Sequence, residues 1–323
     1  MKEILVEQFG GPEVMHLRER ETPVPGPGQV LVRQEAIGIN FIDVYRRTGL
    51  YNVPLPSVPG VEGAGTVEAA GQEVRGLHAG DRVAYVDGAG TYAEAVLVLA
   101  DRAVRLPARI TFQQAAASML QGMTAHYLVQ DTYPIQKGDT VVIHAAAGGV
   151  GLLLVQAARM RGARVIATVS TPEKAELARN AGAQEIILYT EKDFPQEVKR
   201  ITAGAGVKAV YDSVGVTTFL KGLDCLAPQG IMVLFGQSSG KVGPLDPGLL
   251  AAKSLYLTRP TLAHYVADGA SLQRRAGEML QWVASGKLKV RIGATFPLSE
   301  AAEAHRQLQA RTTTGKILLV PRA

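Results

Sequence analysis

The chain has 323 residues, 47% of them hydrophobic and 20% charged, with a formal net charge of +5. That length allows roughly two domains of about 150 residues each and a sizeable core, and no apolar run approaches the ~20 residues of a membrane span. A lone Cys225 excludes an intrachain disulfide and a cysteine-based zinc cluster, and dispersed lysines and arginines argue against nucleic acid as a partner.

Met1-Lys2-Glu3 runs straight into a strand-like ILVEQF without a signal-peptide apolar core, so no signal peptide is expected, and the lone cysteine fits a reducing cytoplasm. Residues 1–25 alternate like strands and end in a Pro/Gly turn, and 30–37 resumes the strand pattern. Residues 38–49 (GINFIDVYRRTG) read as a loop running into a short helix, and 54–59 as an extended proline-rich loop. Short strands with glycine turns continue to Val104, the pattern of a small barrel or sandwich. From 111 the texture changes. Residues 112–125 are helical, and strands are then predicted near 140–145, 164–169, 185–189, 207–211, 230–235 and 254–259. Helices are predicted between them, near 150–161, 172–181, 193–202 and 216–225. Valine/isoleucine-rich strands alternating with charged helices predict a parallel sheet covered on both faces, in the doubly wound order 3-2-1-4-5-6. After Pro260 the tail reads helix (271–285), strand (289–296), helix (299–309), strand (315–320). The fold class is therefore α/β: a Rossmann domain, 122–261, inserted in a discontinuous, mainly-β domain, 1–121 with 262–323.

The stretch VVIHAAAGGVG at 141–151 carries the first chemical signal. A buried strand, a small-residue turn and a helix form a pyrophosphate cradle, because glycines admit the phosphate and the first helical N–H groups point at it. The match is A-x-G-x-x-G at Ala146, Gly148 and Gly151, with Ala147, Gly149 and Val150 completing the turn. NAD sites place an acid at the end of the second strand, for the ribose 2′-hydroxyl. Here that strand ends Thr168-Val169-Ser170, with no acid before Glu173. A hydroxyl at Ser170, a charge at Lys174 and the hydroxyl of Tyr189 suit a 2′-phosphate, so NADPH is expected over NADH. Ser170 and Thr171 also read as a helix N-cap, a compatible role. After the fourth strand, Ser213 and Val214 are the expected cofactor contacts, and Asp212 reads as a turn-fixing acid. His126 and His144 sit in apolar segments and read as packed side chains.

The stretches GINFIDVYRRTGLY, PGVEGAGTV, AGDRVAY, AAASMLQGMTAHYL, HAAAGGVG and VYDSVG together resemble the medium-chain dehydrogenase/reductase superfamily. The resemblance implies a GroES-like catalytic domain around the Rossmann domain. Zinc members read G-x-C where this chain has Gly38-Ile39-Asn40, and G-H-E where it has Gly60-Val61-Glu62. Their third ligand, a cysteine, aligns with Leu120. Asn40, Val61 and Leu120 cannot supply a catalytic zinc site, so no metal is expected. The zinc-free branch it looks most like is the quinone oxidoreductase (ζ-crystallin-like) group, through Asn40–Tyr45, AAAGGVG and Gly236-Gln237-Ser238-Ser239-Gly240. That implies metal-free reduction of a quinone by NADPH in an interdomain cleft. Asn40 and Tyr45 are then the expected donors to a quinone oxygen, beside Tyr51. Asn40, Phe41, Thr124, Phe235, Gly236, Gln237, Ser238, Arg259 and Arg311 are expected at the cofactor. Alternatives are reduction of activated C=C bonds in enones or alkenals, or a non-catalytic NADPH- or RNA-binding protein. The strand-like SLYLTR (254–259), at the sheet's edge in the predicted order, implies a homodimer.

Overall fold

A computed structural model describes residues 1–86 and 90–321. The chain forms two compact units, Met1–Met123 with Val266–Ala323, and Thr124–Tyr265.

The first unit opens with an antiparallel pair, β1 (Lys2–Val6) and β2 (Met15–Glu19). The long strand β3 (Gln29–Ile39) is followed by the short helix α1 (Phe41–Arg47). Strands β4 (Glu62–Ala70), β5 (Arg82–Val86), β6 (Ala95–Leu99) and β7 (Ala103–Arg105) follow, then helix α2 (Phe112–Tyr127).

The second unit alternates strand and helix: β8 (Thr140–Ile143), α3 (Gly149–Met160), β9 (Arg164–Val169), α4 (Pro172–Asn180) and β10 (Glu185–Leu188). It continues with α5 (Phe194–Ile201), β11 (Val207–Asp212), α6 (Phe219–Cys225) and β12 (Leu226–Leu234). Two short helices, α7 (Gly248–Ala251) and α8 (Leu262–Tyr265), flank β13 (Tyr256–Thr258). The chain then returns to the first unit with α9 (Gly269–Ala284), β14 (Ile292–Pro297), α10 (Ala301–Gln309) and β15 (Lys316–Val320).

In the second unit the sheet order is β10-β9-β8-β11-β12-β13, all parallel, which is the predicted 3-2-1-4-5-6. Its strands are buried on both faces: Val142, Ile166, Val210 and Met232 pack with Phe194, Val198 and Phe219 on one, and the alternating Val141, Val165 and Ala209 are buried as well. The first unit's sheet runs β14-β15-β3-β4-β5-β7, with β6 also on β3, and among the described residues only the β14–β15 pair is parallel. The tail completes it, with Ile317 and Leu319 of β15 packing beside Ile37 and Ile39 under α10.

Three of the boundaries that differ from the sequence reading do so for a tertiary reason. Gly38 and Ile39 belong to β3 and not to a loop, because β15, nearly 280 residues away, pairs Leu318 with Gly38 and Ile317 with Ile39. Strand β12 starts at Leu226, pairing with Val207 before a register shift. The edge strand is Tyr256–Thr258, which among the described residues pairs with β12 alone. Among the described residues no helix is long and apolar enough to cross a membrane.

Candidate functional site

The glycine turn after β8 is built by close approach. Ala145 takes a left-handed φ of 49°, uncommon without glycine, and turns the chain toward α3. A Cβ on Gly151 would lie 2.3 Å from the Ala145 carbonyl oxygen and 2.8 Å from the Ala146 Cα, so only glycine lets α3 sit this close to the strand end. Gly148 occupies the N-cap of α3 in extended conformation. The N–H groups of Gly149, Val150 and Gly151 therefore fall in the first helical turn, where no intrahelical acceptor exists, and with the helix dipole they favour an anion. Ala146 and Ala147 are buried beneath them. His144 is buried, bonded to Thr168 through Nδ1 at 2.8 Å and edge-on to Phe194. Burial holds its pKa below the ordinary value, so it is a neutral packed side chain.

At the end of β9 the structure brings Ser170 and Lys174 together, with Lys174 Nζ donating to Ser170 Oγ at 3.3 Å. Thr171 is the N-cap of α4 and accepts from the Lys174 N–H. That places the lysine one turn into the helix with its ammonium folded back over the strand end. The end of β10 joins them: Thr190 Oγ1 donates to the Ser170 carbonyl at 3.0 Å, and Tyr189 is 45% exposed. No acid shares this corner until Glu173, which is held below the usual carboxylate range by its bond with Thr171.

The loops after β11 and β12 clasp each other along the same carboxyl edge. Phe235 N–H donates to the Asp212 carbonyl, Ser238 N–H to Ser213 and Ser239 N–H to Val214. A Cβ on Gly236 would lie 2.6 Å from the Ser213 carbonyl oxygen, so the loop needs glycine there. Asp212 fixes the turn, its Oδ1 accepting from the N–H groups of Val214 (2.6 Å) and Gly215 (3.0 Å) and its Oδ2 from Thr218. Gln237 is buried in this loop, and Arg259, past β13, donates to the Leu234 carbonyl at 3.0 Å. Thr124 is buried in α2, and Arg311 stands exposed in the turn after α10, with φ of 59°.

In the first unit, Asn40 ends β3 and starts α1. Its backbone N–H donates to Asp43 Oδ2 at 2.8 Å, half of a reciprocal cap. Its side chain completes that cap and also reaches into a buried polar cluster. Nδ2 donates to Glu62 Oε1 at 2.6 Å, while Oδ1 accepts from Lys316 Nζ at 2.8 Å and from Gln121 Nε2 at 3.2 Å. Nδ2 also donates to the Gly38 carbonyl, at 3.5 Å. Lys316 and Glu62 form an ion pair with both side chains buried, and Glu62 Oε2 also accepts from the Leu120 N–H at 2.7 Å. Burial pulls the Lys316 pKa down and the Glu62 charge pushes it back up. On the other face of α1's start, Phe41, Tyr45 and Tyr51 form an aromatic run, with ring centroids 6.1 Å apart for the first pair and 5.3 Å for the second. Tyr45 is buried, whereas Tyr51 is 36% exposed.

Asp43 anchors a second chain of bonds. Tyr92 Oη donates to its Oδ2 at 3.0 Å and meets His305 Nε2 at 2.9 Å, and His305 Nδ1 faces Arg47 Nη1 at 3.3 Å. An arginine can only donate, so Nδ1 is the acceptor and the proton of a neutral His305 sits on Nε2. Burial and the Arg47 charge hold the His305 pKa down at about 3, and burial lifts that of Asp43 to about 6.

Sequence reasoning did not find Lys316 or Gln121. Lys316 opens an apolar strand, KILLV, and a charge at such a position is the one signal it left. Its partner Glu62 lies 254 residues away.

The positions that carry zinc ligands in zinc members hold Asn40, Val61 and Leu120. Among the described residues no group of three or more His, Cys, Asp or Glu is placed to hold a metal ion. Residues 26–108 match the family model described as an alcohol dehydrogenase GroES-like domain, and 149–285 the one described as a zinc-binding dehydrogenase. The chain is 47% identical to the quinone oxidoreductase of Pseudomonas aeruginosa, over 99% of both chains. The solved structure of Escherichia coli quinone oxidoreductase complexed with NADPH superposes with a TM-score of 0.97 at 44% identity, covering 99% of this chain and all of that one. A mycobacterial protein complexed with NADPH gives the same TM-score, 0.97, at 45% identity and equal coverage. With two nucleotide-edge loops, a glycine cradle and full-length relatives of this kind, the chain belongs to the medium-chain dehydrogenase/reductase superfamily, in its quinone oxidoreductase group.

Proposed function

We propose that this chain is a quinone reductase using NADPH without a metal. The observation that carries the cofactor choice is the contact between Lys174 Nζ and Ser170 Oγ at the end of β9. One cation and one hydroxyl donor converge where a 2′-phosphate would lie, with no carboxylate at the strand end to repel it. The residues fit the group: Gly148–Gly151 present first-turn N–H groups to a pyrophosphate, and glycine at 151 and 236 lets the surrounding backbone pack closely enough to hold those turns. Ser213, Val214, Gln237 and Arg259 line the remaining edge. When bound, NADPH supplies a hydride, and the protein supplies orientation and hydrogen-bond donors.

A quinone demands little Lewis-acid help, because its reduction creates an aromatic ring. What its oxygen needs is a donor where negative charge develops. We assign that role to the second Nδ2 proton of Asn40 and to the hydroxyls of Tyr45 and Tyr51, with Phe41 as an apolar wall. The exposed edge of β13 supports a homodimer, and the single buried cysteine suits a reducing cytoplasm.

Steady-state turnover with NADPH and NADH, across 1,2- and 1,4-quinones, enones and alkenals, tests the function. Quinones should be reduced with NADPH preferred. Turnover confined to enones or alkenals transfers the assignment to activated C=C bonds, and no NADPH oxidation with any acceptor removes it. Replacing Lys174 by Glu should raise the KM for NADPH about tenfold or more, equivalent to about 1.4 kcal/mol, while leaving that for NADH nearly unchanged, since a carboxylate there repels the 2′-phosphate. An unchanged cofactor preference would mean the phosphate lies elsewhere.

A further inference from the structure

The amide of Asn40 has its orientation set by an internal ion pair. Lys316 has only protons to give, so the atom it meets at 2.8 Å is the amide oxygen. Glu62 as a carboxylate only accepts, so the atom 2.6 Å from its Oε1 is the amide nitrogen. The carboxylate is itself tied at Oε2 by the Leu120 N–H. It is also walled by Gly38, where a Cβ would come within 2.4 Å of Oε1. Gln121 adds a second donor to the amide oxygen at 3.2 Å. Both charges are buried, so water does not loosen the arrangement. We propose that Lys316, through its ion pair with Glu62, is the positioning residue that keeps Asn40 turned with its N–H, and not its carbonyl, available to the quinone oxygen. This rests on the assignment of Asn40 as a donor in the proposed reaction. With the ammonium gone, the amide oxygen loses its charged donor, and a flipped amide would present a lone pair to an oxygen that is gaining negative charge.

The test is a double-mutant cycle on kcat for quinone reduction at saturating NADPH, with NADPH affinity followed separately by fluorescence titration. Asn40→Ala and Lys316→Met should each lower kcat about 100-fold, the order seen when one oxyanion donor is removed. In Lys316→Met, NADPH affinity should stay within about twofold. In the Asn40→Ala background, Lys316→Met should cost less than about twofold more, because residues acting as one unit are non-additive. Lys316→Arg should recover part of the loss. Lys316→Met alone leaves Glu62 buried and uncompensated, so the charge-free pair Lys316→Met/Glu62→Met is the second variant, and it should show the same kcat loss. Full activity in Asn40→Ala would remove the donor assignment itself. A loss in Asn40→Ala combined with additive losses, or with unchanged kcat in the lysine variants, would overturn the role of Lys316 while leaving the donor assignment standing.

Discussion

At the scale of single residues, the buried groups around α1 make the stability of the first unit depend on pH in two opposing ways. Native His305 stays neutral down to about pH 3, whereas in the unfolded chain it takes up a proton below its ordinary 6.5. Its contribution to stability is therefore present above 6.5 and is lost as pH falls toward 3. Asp43 acts in the reverse direction. Its native carboxyl keeps the proton up to about pH 6, while the unfolded chain releases it near 3.8, so its contribution is full below 3.8 and is lost as pH rises through 6. Between about pH 4 and 6 the two slopes oppose each other. His305→Gln should remove one of them. The gap in Tm between wild type and variant, followed by calorimetry, should widen as pH rises from 4 to 6.5. A gap that stays constant across that range would contradict the buried neutral histidine. Burial is the physical reason for both shifts because it disfavours charge; the Arg47 charge adds to it at His305, while the bonds from Asn40 and Tyr92 hold the Asp43 shift back.

At the scale of elements, two glycines in helices behave oppositely because of what surrounds them. Gly151, in the first turn of α3, has backbone atoms of Ala145 and Ala146 within 2.9 Å of a would-be Cβ, and backbone cannot swing aside as a side chain can. Gly151→Ala should push α3 off the end of β8, costing about 1–3 kcal/mol of stability as overpacking does. NADPH affinity should fall at least about tenfold with it, since the first-turn N–H groups move too. Gly277, in the middle of α9, has nothing within 4 Å of the same point and no unusual φ. Gly277→Ala should therefore stabilise by roughly 0.5–1 kcal/mol through helix propensity alone, with NADPH affinity unchanged. Thermal melts and fluorescence titrations of the two variants measure both effects, and equal behaviour would contradict the close approach at the cradle.

At the scale of the whole molecule, the parallel sheet of the second unit leaves β13 with one neighbour. Tyr256 is 61% and Leu257 38% exposed on that edge, an apolar strand with its outer backbone groups open to pairing. Antiparallel addition of the same strand from a second copy would extend the sheet and cover both side chains. Sedimentation at micromolar concentration should give about twice the 34.3 kDa chain mass. The double substitution Tyr256→Asp/Leu257→Asp, which sets like charges against each other across the seam, should return it to the single mass. A wild-type chain that sediments at the single mass would end the dimer assignment.

Local sequence determined a large part of this protein, because the signals involved are local. Alternation of valine-rich strands with charged helices needs only a window of a dozen residues, and it predicted the six-strand order and most element positions within a few residues. The glycine turn and the contact of Ser170 with Lys174 after β9 were equally legible, since each is made by one short stretch. Distance in sequence hid the rest. Gly38 and Ile39 are strand because Ile317 and Leu318 pair with them, and no window containing one holds the other. Asn40 reads as a loop residue free to meet a substrate, yet its amide is held by Glu62, Gln121 and a lysine 276 residues away. An ion pair of this kind leaves no periodic trace. Only folding, which carries both charges out of water together, makes each the other's necessary partner.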